Sequence, residues 1–228
     1  MQRLIKLIVA FAVAACLSLT TFAASQLTIT DIRESIQENN LDIQIVYPQI
    51  DGDNLTEPAQ NINSTIQEYV KILKNGATKK RDAGGSAEGV FAYKTARNAG
   101  GYVSLVLKDT LNASSLAHPE TGQRSITFEA MTKQELTFDQ LFVESKDYKN
   151  VVNELINDEI AKRALGDKLL EDYKGVCSNT KFYLTDTSVV VYYNPAECFP
   201  HSEGIVEFEI PYSQLNGILK PEITSALA

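Results

Sequence analysis

Histidine is scarce in this chain: its 228 residues include two, His118 and His201, far apart in sequence. That is too few to build a histidine-rich metal centre unaided. Cysteine is nearly as rare, with three, and the first, Cys16, sits in an N-terminal apolar run. Basic residues are outnumbered, 21 Lys and Arg against 29 Asp and Glu, and no Lys/Arg stripe interleaves with aromatics. A net charge of −8 repels phosphate backbones, so no nucleic-acid partner is expected. Beyond the N-terminus no apolar run approaches the roughly 20 residues of a spanning helix, so no transmembrane segment is expected once the leader is removed.

What is present first is an export signal. Arg3 and Lys6 precede a continuous apolar run over 7–19, and Thr21, Ala23 and Ala24 supply small residues. This is the three-part layout of a secretory signal peptide, with cleavage expected after Ala23. Val13-Ala14-Ala15-Cys16 offers the alternative of a lipobox with Cys16 as the lipidated first residue, although the apolar run continues past it through Leu17, Leu19 and Phe22. Cleavage removes Arg3 and Lys6 and makes the exported chain two charges more negative. The expected location is therefore periplasmic or secreted.

Export leaves Cys177 and Cys198, an even pair in an oxidising compartment, flanking one β-hairpin. If Asp186 and Thr187 form a two-residue turn, positions summing to 373 face each other. Cys177 then falls opposite Ala196, two residues from Cys198, and a bulge would close the gap to a disulfide. A zinc site of Cys177, Cys198 and His201 is the alternative, but it lacks the paired short spacings of zinc knuckles. No metal or other cofactor is expected.

The periodicities predict an α+β fold, mainly antiparallel sheet with two principal helices packed on it. Residues 27–37 and 41–47 read as a hairpin ending before Pro48. Thr56 as cap and Pro58 in the first turn start a helix carrying Ala59, Ile62, Ile66, Tyr69 or Val70, and Leu73 on one face, with Gly76 as its stop. Residues 77–89 read as a glycine-rich loop. Strands follow at 90–96 and 102–107, with Val103, Leu105 and Leu107 on one face, then a long polar stretch over 112–124. Segments 125–128 and 136–138 bracket a turn at 131–134. A second helix is expected over 148–165, then the cysteine-flanked hairpin, a strand over 204–210 and a short terminal helix.

Three separated phrases, VYPQIDG, AHPETGQRSITFEAMTKQELTFDQLF and FYLTDTSVVVYYNPAECFPHSEGIVEFEIPYSQL, give the chain a resemblance to the PdaC/RsiV-like exported bacterial domains over about 41–215. The glycine pair that the family carries before Ala117-His118-Pro119 is absent here, and histidine stands at His201 where a tyrosine is common. The resemblance implies a non-catalytic binding or sensing module of the cell envelope, whose partner is an envelope glycan or an extracellular protein such as a lysozyme-like cationic one. It divides the chain into a signal peptide at 1–23, a PdaC-like region at 24–115 and an RsiV-like region at 116–228, as two cores or one continuous fold. A peptidoglycan-modifying hydrolase or deacetylase-related enzyme is the alternative, with His118, His201 or acidic clusters supplying acid and base.

The expected binding surface is His118, Tyr192, Tyr193, Phe199 and His201, because adjacent strand tyrosines point to opposite faces and one of them should leave the core. Other patterns carry less. Gly84-Gly85-Ser86-Ala87-Glu88-Gly89 misses the nucleophile-elbow spacing by one residue. Asp51-Gly52-Asp53-Asn54 has the residues of a turn but not a calcium loop's later ligands. Glu144, Asp147, Asp167, Glu171 and Asp172 occupy polar helix faces and ends. The sequence carries no signal for oligomeric state.

Overall fold

The computed structural model describes residues 27–50, 56–170 and 174–225. The expected leader, with Cys16, the turn at 51–54, and Glu171 and Asp172 lie outside these residues.

The chain folds as α+β, in two sheets that are antiparallel except for one strand pair. The first sheet has the order β1 (Ile29–Glu38), β2 (Leu41–Ile50), β3 (Ala87–Ala99), β4 (Tyr102–Ala113), β5 (Glu120–Glu129). Asn40, at φ 61°, turns β1 into β2, and the pairing runs from Glu38↔Leu41 out to Ile29↔Ile50. β2 therefore continues through Pro48, where an end was expected. Beyond Ile45 it has a sheet neighbour on one side only, a position that tolerates a missing N–H.

Helix α1 (Glu57–Asp82) links β2 to β3, the parallel pair, as a crossover requires. Its stripe of Ala59, Ile62, Ile66, Val70, Leu73 and Ala77 is buried on the sheet. Gly76 does not stop it. A Cβ there would stand 3.3 Å from Leu111 Cδ2, so the glycine lets the helix lie close to β4 and the helix runs two turns further. The loop expected over 77–89 shrinks accordingly to 83–86. Gly100 and Gly101, both at positive φ, make the two-residue turn between β3 and β4, as hairpin twist favours. The polar stretch expected over 112–124 is mostly strand, because Thr110 faces Thr121 and Leu111 faces Glu120 across the sheet.

Tyr148–Lys162 forms α2, started by Asp147, whose carboxylate accepts the Asn150 N–H. The second sheet has the order β6 (Phe182–Leu184), β7 (Ser188–Tyr193), β8 (Val206–Pro211), and Pro221–Ser225 forms the terminal α3. The hairpin register is the one expected: Phe182↔Val191, Tyr183↔Val190 and Leu184↔Val189 all sum to 373.

Alternation along these strands gives four layers, α1, first sheet, second sheet and α2. Phe182, Leu184, Val189, Val191, Val206, Phe208 and Ile210 pack with Val152, Ile156 and Ile160 of α2. Tyr183, Val190 and Tyr192 point the other way and meet Val106 of β4, which is why β4 is buried on both faces. The expected boundary between Ser115 and Leu116 falls in the β4–β5 connection, inside the first sheet.

Two serines stitch the sheets together. Ser125 of β5 donates to the Phe182 C=O at 2.5 Å, and the Leu184 N–H donates to Ser104 Oγ at 3.0 Å, with Thr127 Oγ1 2.7 Å from the same hydroxyl. The outer edge of β6 is thus satisfied by side chains of the first sheet rather than by another strand.

Candidate functional site

The 194–204 connection between β7 and β8 folds back onto the start of β5. Asn194 accepts the Gln123 N–H at 2.7 Å and donates its amide to the Gln123 C=O at 3.1 Å. Gln123 donates its side-chain amide to Glu207 of β8 at 2.9 Å. Beside these contacts the chain's two histidines meet: the ring centroids of His118, before β5, and His201, in a 3-10 turn at His201–Glu203, are 3.9 Å apart. Residues 83 positions apart in sequence converge here. Among the described residues no third His, Cys, Asp or Glu joins them in a metal-holding group.

The aromatic part of the expected surface is corrected. Tyr192 and Phe199 are buried, at 2% and 1% exposure, and Tyr193 is half-buried against Phe199 and Phe208. The alternation of strand side chains holds, but both faces of β7 are covered, one by the first sheet and one by α2. Tyr192 OH lies 3.1 Å from Ser125 Oγ, whose single proton goes to Phe182, so the phenol is the donor. Burial first, then nearby Glu197, pushes its pKa up to about 12, so it stays a neutral donor.

Cys177 and Cys198 are two separate thiols in this structure. Hairpin pairing ends where the Tyr192 N–H donates to the Lys181 C=O. Below that point the two chains part. The Cys177 N–H and C=O are held by Thr180, and the Cys198 C=O accepts from Leu170. A Lys181–Glu197 ion pair bridges the strand bases instead.

Between the outer edge of β5 and residues 178–182 opens a cleft of about 550 Å³. Its walls include Tyr69 of α1, Arg124 and Ser125 of β5, Glu135 and Thr137, Asn179 and Lys181, and Asn194 and Glu197; Phe138, Phe182 and Tyr192 also line it. Arg124 lies over the Tyr69 ring at 4.6 Å and pairs with Asp109 at 2.5 Å. Segment 134–136 enters by pairing with β5: the Leu136 N–H donates to Thr127 and the Glu129 N–H to Gln134, around a Phe128↔Glu135 bridge. Glu135 is the cleft's unbalanced charge. It lies at the surface, yet the wall crowds its carboxyl, and this desolvation raises its pKa above the ordinary glutamate value.

A carboxyl whose folded pKa is raised contributes stability that is full below the ordinary value, about 4.3, and lost as pH rises through the raised one. The Glu135→Gln variant is therefore expected to melt higher than the parent at pH 7, with the gap closing toward pH 4. Equal melting temperatures at pH 7 would contradict this.

Ser125 and Glu135 carry no signal in the sequence, whereas the loop from Asn194 to Gly204 is where sequence reading expects the functional interest. The turn expected at 131–134 would set 135 opposite 130, but the observed bridge is Phe128↔Glu135, two residues back along β5.

A model of the family described as "Protein of unknown function (DUF3298)" matches residues 139–213. Those residues carry the DUF3298 pattern. They hold α2 and the whole second sheet, including the loop that docks on β5. Two curated relatives, Immunogenic protein MPB64 of Mycobacterium bovis and Immunogenic protein MPT64 of Mycobacterium tuberculosis, are each 24% identical over 184 residues, spanning 72% of this chain and 80% of the relative. Among solved structures, a DUF3298 family protein from Pseudomonas aeruginosa matches with a TM-score of 0.60 and 16% identity, covering 87% of this chain and 97% of that one. A DUF3298 member from Bacteroides fragilis gives 0.59 and 18%, covering 90% and 98%. At these identities the structural likeness is one of fold, and it extends well beyond the DUF3298 segment into the first sheet.

Proposed function

We propose that this chain is a non-catalytic exported module of PdaC/RsiV type that binds or senses a partner at the bacterial cell envelope, through the surface formed where loop 194–204 and segment 134–138 meet β5. The observation that carries this reading is the open cleft along β5, framed by hydrogen-bonding groups and one unbalanced carboxylate. A cationic lysozyme-like protein is the protein partner this charge favours, and a muropeptide is the glycan partner. Among the described residues no helix is long and apolar enough to cross a membrane. Calorimetry at low salt tests the reading: saturable heat with lysozyme or muropeptides supports it, and silence with both removes it.

The meeting of His118 and His201 favours a second reading, a peptidoglycan-modifying enzyme using the pair as acid and base. It predicts turnover of muropeptides that is lost in His118→Ala or His201→Ala. An unchanged product profile in both variants makes the pair a structural contact.

The exported form is further proposed to carry a Cys177–Cys198 disulfide, supported by the two-cysteine complement of the exported chain and by the place of the two residues on either side of the β6–β7 hairpin. Free-thiol titration of native protein should find none, and reduction should lower the melting temperature. Two reactive thiols in native protein would overturn it.

A further inference from the structure

We propose that the cleft beside β5 is a strand-addition site for a short extended peptide bearing a lysine or arginine, with the backbone paired to Ser125 and the cation seated against Glu135. This rests on the reading of the chain as a binding module and names what the module takes.

The backbone of β5 shows the vacancy. Alternate residues of an edge strand turn both N–H and C=O outward. On β5 these are 123, 125, 127 and 129, as the partners of Gln123, Thr127 and Glu129 establish. The chain fills three of the four places itself, with the Asn194 side chain at Gln123 and segment 134–136 at Thr127 and Glu129. Ser125 lies between them with its hydroxyl committed to Phe182, and its outward N–H and C=O have no partner among the described residues. That gap opens into the cleft. Asn194, which returns one donor and one acceptor to Gln123, shows the kind of group that would complete it.

The length follows from the same residues. From Gln123 to Thr127 is four strand steps, about 13 Å, so a guest lies in line with segment 134–136 and stops at Asn194. A few residues fit, and a long strand does not.

Charge chooses between guests. Arg124 is paired with Asp109, and Lys181 with Glu197, within the chain. Glu135 has no ion-pair or hydrogen-bond partner among the described residues and is crowded by the cleft wall. A neutral glycan can offer it hydroxyls but not charge. An ammonium or guanidinium supplies both hydrogen bonds and neutralisation, and a strand backbone supplies the pair that Ser125 lacks.

The test uses the whole chain and three labelled probes: acetyl-Thr-Val-Lys-Val-Thr-amide, whose valine after the lysine pairs with Ser125 so that the lysine falls on the Glu135 face, the same peptide with Glu for Lys, and the same peptide with the backbone nitrogen of that valine methylated. Fluorescence anisotropy should show saturable binding of the lysine peptide, weakened about tenfold or more by either change to the peptide and by Glu135→Gln. Hydrogen exchange at the Ser125 amide should slow in the complex. No binding of the lysine peptide, equal binding of all three, or unchanged affinity in Glu135→Gln would overturn the proposal. Tetra-N-acetylglucosamine protecting the Ser125 amide where the peptide does not would overturn it in favour of a glycan. Lysozyme or muropeptide binding that leaves Ser125 and Glu135 unaffected would remove this site while sparing the binding-module reading.

Discussion

Replacing Phe138 by alanine is expected to destabilise the fold by about 4 kcal/mol, read as a lowered urea midpoint with an unchanged slope. Phe138 is fully buried, at 0% exposure, in the turn that carries the chain from the first sheet's edge toward α2. Its ring meets Phe142 at 5.2 Å, Phe182 at 5.4 Å and Tyr148 at 6.0 Å, all edge-on. It thus joins α2, β6 and segment 134–138, and truncation leaves a cavity that three aromatic neighbours cannot all collapse into. Because Phe138 also lines the cleft, the same change should loosen the placement of Glu135. A loss under about 1 kcal/mol would mean that this cluster is not part of the core.

Arg97→Ala should cost about 2–3 kcal/mol, and Arg97→Lys should recover little of it. Arg97 is buried, at 3% exposure, just past the bulge in β3. Its guanidinium donates to the Ala99 C=O at 3.2 Å and, across the layers, to the Thr185 C=O at 2.9 Å, which also accepts from Tyr212 OH at 2.8 Å. One planar group therefore ties the end of the β3–β4 hairpin to the turn of the β6–β7 hairpin. A lysine ammonium cannot reach both carbonyls in the same fork. Full recovery by lysine would show that the charge alone matters.

These two residues mark what the sequence hid. Period-two alternation showed the apolar strands, and the 373 register followed from the Asp186-Thr187 turn, because both are local. Ser104, Ser125 and Arg97 look like surface residues in sequence. Ser104 and Arg97 are buried, and Ser125 is half-buried, because a second sheet covers the first, and no local pattern announces that contact. Gly76 misled for a related reason: its missing Cβ serves the approach of Leu111, a strand residue 35 positions away, rather than the end of its own helix.

The candidate site was legible in part. His118 and His201 were chosen as a pair worth locating, and the fold brings them into contact. Tyr192 and Phe199 are expected on an exposed surface, and both are buried: Tyr192 on β7, whose two faces are both covered, and Phe199 in the 194–204 loop, packed against Tyr193 and Phe208. The cleft itself depends on a strand edge, and edges are set by topology. Only the order β1-β2-β3-β4-β5 makes Ser125 an outer residue, and only the docking of loop 194–204 sets Asn194 beside it.

The central claim, that this is a binding module whose partner engages the β5 cleft, is tested most directly by calorimetric titration of the whole chain and of Glu135→Gln with lysozyme and with muropeptides at low salt, with the products analysed afterwards. The account predicts saturable heat from at least one partner, loss of that heat in Glu135→Gln, and partners recovered chemically unchanged. No heat from either partner, or a muropeptide converted to a new product, would contradict it.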